Sequence, residues 1–180
     1  MKKNLLLLLG LCAAVTAQAQ SDNRAGTQLY VQPSLLIAAP GSDFKTATGV
    51  AIAGGVSFLG RHSVELEYVR FETEPDIGLV HYDIEFAYLL ATYKYRFPIT
   101  SKLSGYAGGS IGEVEQEISV RMFGDPTGSA VAGGVVGGVQ YQLNEHISLD
   151  AGMKVLFQDS TRFTTTGSVL LAQAGVKFQF

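Results

Sequence analysis

The stretch from Thr165 to Phe180 reads TTGSVLLAQAGVKFQF. Its even positions Leu170, Ala172, Ala174, Val176, Phe178 and Phe180 are apolar. Its odd positions Gln173, Lys177 and Gln179 are polar, with Gly175 between them. Period two of this kind marks a β-strand with one apolar and one polar face. The sequence stops on an aromatic residue, and this strand is expected to close a sheet on itself.

The same alternation recurs upstream. Ile147, Leu149, Ala151, Met153, Val155 and Phe157 oppose Ser148, Asp150, Gly152, Lys154 and Gln158. Over 130–143, Val131, Val135, Val139, Tyr141 and Leu143 oppose Gly134, Gly138, Gln140 and Gln142. Over 85–97 the preferred phase puts Leu89, Ala91, Tyr93, Tyr95 and Phe97 outward, with Lys94 and Arg96 inward. The opposite phase would turn both cations toward lipid. Over 63–71, Val64, Leu66 and Tyr68 oppose Glu65 and Glu67. Over 49–59, Val50, Ile52, Val56 and Phe58 oppose small residues. The first strand, 28–38, contains Pro33, which cannot donate to a ladder and is read as a bulge or irregular site. The fifth, 103–112, is glycine-rich and its facing is undecided. Beyond it Val114, Ile118, Val120 and Met122 alternate with Glu113, Glu115, Glu117 and Arg121, as if the strand continued to Gly124-Asp125-Pro126.

That makes eight strands of about ten residues, the length of a tilted transmembrane strand. No stretch of them carries a helical period. Connections alternate long and short, as in outer-membrane barrels with long outer loops and short periplasmic turns. An even count places both termini on the periplasmic side. The fold class expected is all-β: an eight-stranded antiparallel up-and-down transmembrane barrel.

Composition agrees. Lys2 and Lys3, an apolar run from Leu5 to Val15, and Ala17-Gln18-Ala19 form a secretory signal peptide over residues 1–19. The barrel domain is then 20–180. Its apolar run is too short for a membrane helix, which needs roughly 20 residues. The single cysteine, Cys12, falls in the signal, so the barrel has no disulfide. Removing two lysines and no acids leaves 11 Lys+Arg against 16 Asp+Glu, a net charge of −5. No basic patch for nucleic acid appears. Hydrophobic residues make up 47% of the chain, yet they are dispersed among 21 glycines, as a membrane barrel requires.

A soluble barrel would bury the apolar face and wet the other. Glu65, Glu67, Asp150, Lys154 and Lys177, with several Gln and Tyr, would make poor core for a soluble protein, so the apolar face is expected to meet lipid. Tyr93, Tyr95, Phe97, Tyr141, Phe157, Phe178 and Phe180 then form interfacial girdles. Inside, Glu65, Glu67 and Asp150 are expected to meet Lys94, Arg96, Lys154 and Lys177 in a charge network that plugs a lumen only wide enough for side chains. An ion path is the functional alternative.

The strand layout, the segment GGVQYQLNEHISLDAGMKV and the terminal KFQF resemble the small outer-membrane barrel family that includes the OmpA membrane domain, OmpX and the opacity-type surface antigens. The resemblance spans roughly Thr27 to Phe180. It implies outer-membrane location, lipid and lipopolysaccharide surroundings, and insertion by the barrel-assembly machinery, with Phe178 and Phe180 as the insertion signal. OmpA-like proteins continue into a peptidoglycan-binding domain. This sequence ends at the barrel, so cell-wall anchoring is not implied.

Chemistry is sparse. His146, Ser148 and Asp150 share a strand face, but same-face neighbours lie about 6.6–6.8 Å apart, too far for a hydrogen-bonded triad. His62 and His81 lack partners at metal-ligand spacing. The GGxxGG near Gly133 is strand packing, since no helix follows it. No catalytic residue, cofactor or metal is expected. What remains is the loops, the second carrying Glu72, Glu74, Asp76 and Asp83 and the third Glu113, Glu115, Glu117 and Asp125. A protruding fifth strand could pair with a foreign strand. The expected function is a non-enzymatic structural or surface-interaction role. A lipid-modifying enzyme of the outer leaflet and a narrow pore are the alternatives.

Overall fold

The computed structural model describes residues 26–41, 44–74, 83–119, 127–159 and 167–180. The expected signal peptide, and Asp76, His81, Val120, Arg121, Met122 and Asp125, lie outside them. Eight strands follow one another: β1 (Gln28–Ala39), β2 (Ala47–Phe58), β3 (His62–Thr73), β4 (Asp83–Pro98), β5 (Leu103–Ser119), β6 (Thr127–Gln142), β7 (Ile147–Gln158) and β8 (Gly167–Gln179). Each pairs antiparallel with the next, and β1 pairs with β8 to close a barrel. The closing seam sets Tyr30 opposite Gln179 and Ala39 opposite Leu170. Its register is the same on both sides of Pro33, so no residue is inserted there. The bulge expected at Pro33 is replaced by a gap of two pairs, at Gln32 and Pro33. A missing N–H removes bonds without shifting the strand.

Strand length is uneven. β4, β5 and β6 have 16, 17 and 16 residues, whereas β1, β2, β3 and β7 have 12. The barrel therefore rises as a wall on one side at its long-loop end. Glu72 belongs to β3, Asp83 to β4, and Glu113, Glu115 and Glu117 to β5, rather than to loops. β5 is also paired on both sides along this rise: Ser119 lies opposite Asp83 and Glu117 opposite Thr127. Among the described residues the free edge expected on the fifth strand is covered as far as Glu117, because β6 extends beside it.

Facing follows the period. Leu35, Ile37, Val50, Ile52, Ile111, Val135 and Met153 are exposed on the outside. β4 turns Tyr93, Tyr95 and Phe97 outward and buries Lys94. β5, undecided from its sequence, buries Tyr106, Ser110, Val114 and Gln116 and exposes Ile111. A water-soluble barrel would reverse this partition.

The interior has two storeys. Toward the short turns it is polar. Toward the long loops it is apolar, with Leu36, Val69, Phe71, Phe86, Tyr88, Leu90, Val114, Leu156, Val169 and Leu171 in one buried cluster. Phe71 and Phe86 stack at 5.1 Å between centroids, Phe71 and Tyr88 at 6.0 Å, and Phe44 meets Phe86 edge-on at 6.0 Å. An inner face read as polar or small missed this upper storey.

Inward glycines make room for the large rings. A Cβ at Gly138 or Gly152 would strike the Tyr106 hydroxyl. We expect Gly152→Val to destabilise the barrel by about 1–3 kcal/mol, read by urea unfolding in phospholipid vesicles. Gly109→Ala is the control, since the nearest atom to its Cβ would be 3.5 Å away; it should leave the midpoint nearly unchanged.

Candidate functional site

Charged side chains converge in the lower storey from four strands. Glu65 and Glu67 stand on the inner face of β3, Lys94 on β4, Asp150 and Lys154 on β7, and Lys177 on β8; all six are buried. Arg96 sits at the mouth, partly exposed, and donates from Nη2 to the Gly60 carbonyl at 2.7 Å.

Two direct ion pairs form. Lys94 Nζ lies 2.7 Å from Glu65 Oε1, a diagonal pair between adjacent strands, since Glu65 faces Thr92 and Lys94 faces Ser63 in the ladder. The other crosses the lumen: Lys154 on β7 bonds Glu67 on β3, four strands away around the wall, with side chains 0% and 1% exposed. Burying two charges costs several kcal/mol per ion, which only close geometry and further hydrogen bonds offset.

Polar residues knit the rest. The Tyr30 hydroxyl donates to Glu65 Oε2 at 2.7 Å. Asp150 Oδ1 accepts from Tyr106 at 2.9 Å and from Gln32 Nε2 at 3.2 Å. Lys177 Nζ stands 3.6 Å from the Tyr30 ring centroid and Lys94 Nζ 4.9 Å from that of Tyr106, where the ring quadrupole attracts a cation. Among the described residues, Lys177 and Asp150 have no oppositely charged group within ion-pair distance. A continuous path therefore runs from Lys177 through Tyr30, Glu65, Lys94 and Tyr106 to Asp150 and Gln32.

Three of these members, Tyr30, Gln32 and Tyr106, were not assigned to the network from sequence. The alternation of Tyr30 and Gln32 with Leu29, Val31, Leu35 and Ile37 puts them on the inner face of β1, but nothing in it names their partners. Tyr106 is masked by the glycines around it. The cavity left between Gln32, Lys94, Tyr106, Asp150 and Lys177 measures about 20 Å³, room for about one water.

No relay links His146, Ser148 and Asp150. His146 is exposed in a turn, Ser148 Oγ lies 3.5 Å from Gln179 Oε1, and Asp150 is held as described. Among the described residues, no three His, Cys, Asp or Glu side chains are grouped to hold a metal ion. Phe178 and Phe180 both face outward, and Phe180 N donates to the Leu29 carbonyl at 2.9 Å, fastening the last residue to β1.

The family profile of the outer membrane protein beta-barrel domain matches residues 5–180. The chain belongs to this outer-membrane β-barrel family. Solved structures agree in fold. Neisserial surface protein A is 18% identical, with a TM-score of 0.71, covering 87% of this chain and 98% of that one. Ail of Yersinia pestis, solved with the heparin analogue sucrose octasulfate, is 15% identical, with a TM-score of 0.57 over 86% and 97%. OprH of Pseudomonas aeruginosa is 18% identical, with a TM-score of 0.53 over 85% and 99%. No curated protein sequence matches the chain. An outer-membrane β-barrel with an apolar exterior and a charged, filled lumen is thus the setting for any activity.

Removing one partner of the cross-lumen pair leaves a buried charge. Glu67→Ala should cost about 3–5 kcal/mol of unfolding free energy, whereas Glu67→Leu combined with Lys154→Met should recover most of it. Urea titration of the two variants beside the parent barrel checks this.

Proposed function

We propose that this protein is a non-enzymatic, non-conducting outer-membrane barrel that serves the envelope structurally and meets partners outside the cell through its long-loop end. The observation that carries the reading is the doubly filled lumen. Ion pairs and tyrosines occupy the lower storey, stacked aromatic rings occupy the upper one, and the cavity between charged groups is about 20 Å³. Hydrated ions have no room to pass.

In this reading residues 1–19 are a cleaved signal peptide, and the short turns and both termini face the periplasm. Phe178 and Phe180 present the aromatic end that the barrel-assembly machinery takes up, and lipopolysaccharide surrounds the long-loop half. The lumen network of Glu65, Glu67, Lys94, Arg96, Asp150, Lys154 and Lys177 is a structural plug.

The raised wall says what partner suits it. Its described outer surface carries Glu72, Glu85, Glu113, Glu115 and Glu117, with Arg70 bonded to Glu85 at 2.7 Å. Such a surface repels sulfated glycans of the kind seen with Ail and favours a basic partner.

Planar-bilayer recording tests the plug: neither the parent barrel nor Glu67→Ala should give conductance steps, because the aromatic storey stays in place. Steps in either would favour a pore. Lipid A mass spectra should be the same with and without the protein; a new species would favour the enzyme. Orientation is read on whole cells, using the absence of cysteine after residue 19. An impermeant maleimide should label Ser129→Cys and spare Thr100→Cys.

A further inference from the structure

The short-turn rim carries a group of side chains outside the lumen's ion pairs, two of which, Arg61 and His62, also border the foot of the 20 Å³ lumen cavity. β2 and β3 join through Leu59, Gly60 and Arg61, with Phe58 opposite His62 in the ladder. Leu59 and Gly60 take φ of 51° and 68°. That left-handed pair reverses the chain sharply and leaves Arg61 exposed at the head of β3. Tyr95 lies opposite His62 on β4, and Tyr93 opposite Val64. Both tyrosines face outward, so their hydroxyls meet the turn on the outside of the barrel. Arg61 Nη1 donates to the Tyr95 hydroxyl at 3.4 Å, and His62 Nδ1 lies 2.7 Å from the Tyr93 hydroxyl. Phe58 stacks on the imidazole at 5.6 Å and Tyr95 meets it edge-on at 5.3 Å. The ring is held with Nε2 as its remaining polar atom. Among the described residues Arg61 has no carboxylate within ion-pair distance.

The height of this group in the membrane follows from the apolar surface. Leu59, Ile99 and Leu143, one in each short turn region, are 75%, 52% and 49% exposed, and Phe180 is 79% exposed. Exposed aliphatics at the very turns are out of place in water and suited to the edge of a hydrocarbon layer. Along β6 and into the turn after it the exposed apolar residues run from Val131 to Leu143. Twelve steps at about 3.4 Å, tilted about 40°, rise about 30 Å, the full hydrocarbon thickness. The lipid phosphates therefore lie level with the turns. Arg61 and Lys102 are exposed there against Glu145.

We propose that Arg61, His62, Tyr93 and Tyr95 form a site for the phosphate of an anionic phospholipid on the outside of the short-turn rim. The guanidinium offers a fork of donors matched to a phosphodiester. His62 Nε2 and the tyrosine hydroxyls supply the flanking hydrogen bonds, and Phe58 and Leu59 lie against the acyl chains. That the lipid comes from the periplasmic leaflet rests on the orientation proposed above; the headgroup chemistry does not.

The test is native mass spectrometry of the folded barrel released from micelles holding equal phosphatidylglycerol and phosphatidylcholine. The parent protein should retain phosphatidylglycerol preferentially. Arg61→Gln should lower that retention roughly fivefold, about 1 kcal/mol, and Arg61→Lys should fall between, since it keeps the charge and loses the fork. Tyr95→Phe should lower it by less than Arg61→Gln. Lys102→Gln, an exposed rim cation in the β4–β5 turn, should leave it unchanged. No preference in the parent, no effect of Arg61→Gln, or an equal loss in Lys102→Gln would each overturn the site. If maleimide labelling reverses the orientation while this pattern holds, the orientation fails and the site stands.

Discussion

A sheet of eight strands closed on itself leaves an interior that side chains from opposite walls can span. The bond from Lys154 to Glu67 is that span in one interaction. It joins β7 to β3 across the lumen with both charges withdrawn from water. Everything near it accommodates the same narrowness. Glycines at 138 and 152 open space for the Tyr106 ring, and Tyr106 in turn holds Asp150. Above, where no charges enter, the space is closed by Phe71, Phe86 and Tyr88. A wider barrel would separate these partners and expose each of them.

The outside obeys a simpler rule. Lipid accepts any apolar side chain of suitable size, so the outer face needs only alternation. The inner face needs particular partners, and packing there leaves little slack. That difference suits the fold likeness found: a strand layout can be shared at 18% identity.

The same difference decided what could be read from the amino acids. Strand number, closure and the facing of β7 and β8 were legible because a strict period of two survives on their outer faces. The facing of β4 was ambiguous for a physical reason: Phe86, Tyr88 and Leu90 line the upper storey, so the strand is apolar on both sides there. β5 was opaque because its glycines blur both faces. On sequence alone Glu113, Glu115 and Glu117 fall with the third loop, yet their alternation with Val114 and Ile118 also reads as a strand continuing beyond the membrane, and β5 does carry them, running to Ser119. The lumen residues could be assigned to a face from their period. Their partners could not, because pairing across a barrel depends on register around the whole ring.

The bonds inside the lumen also join residues far apart in sequence. Glu67 and Lys154 are separated by 87 positions, and Gln32 and Asp150 by 118. None of them can form until the sheet has curled through most of its circumference. An unclosed sheet entering the bilayer would turn Lys154 and Lys177 toward hydrocarbon, where an unpaired ammonium costs about 2–4 kcal/mol at the midplane. Sealing β1 to β8 therefore also withdraws these charges from lipid. In energetic terms the lumen network favours the closed barrel in a bilayer over an open sheet.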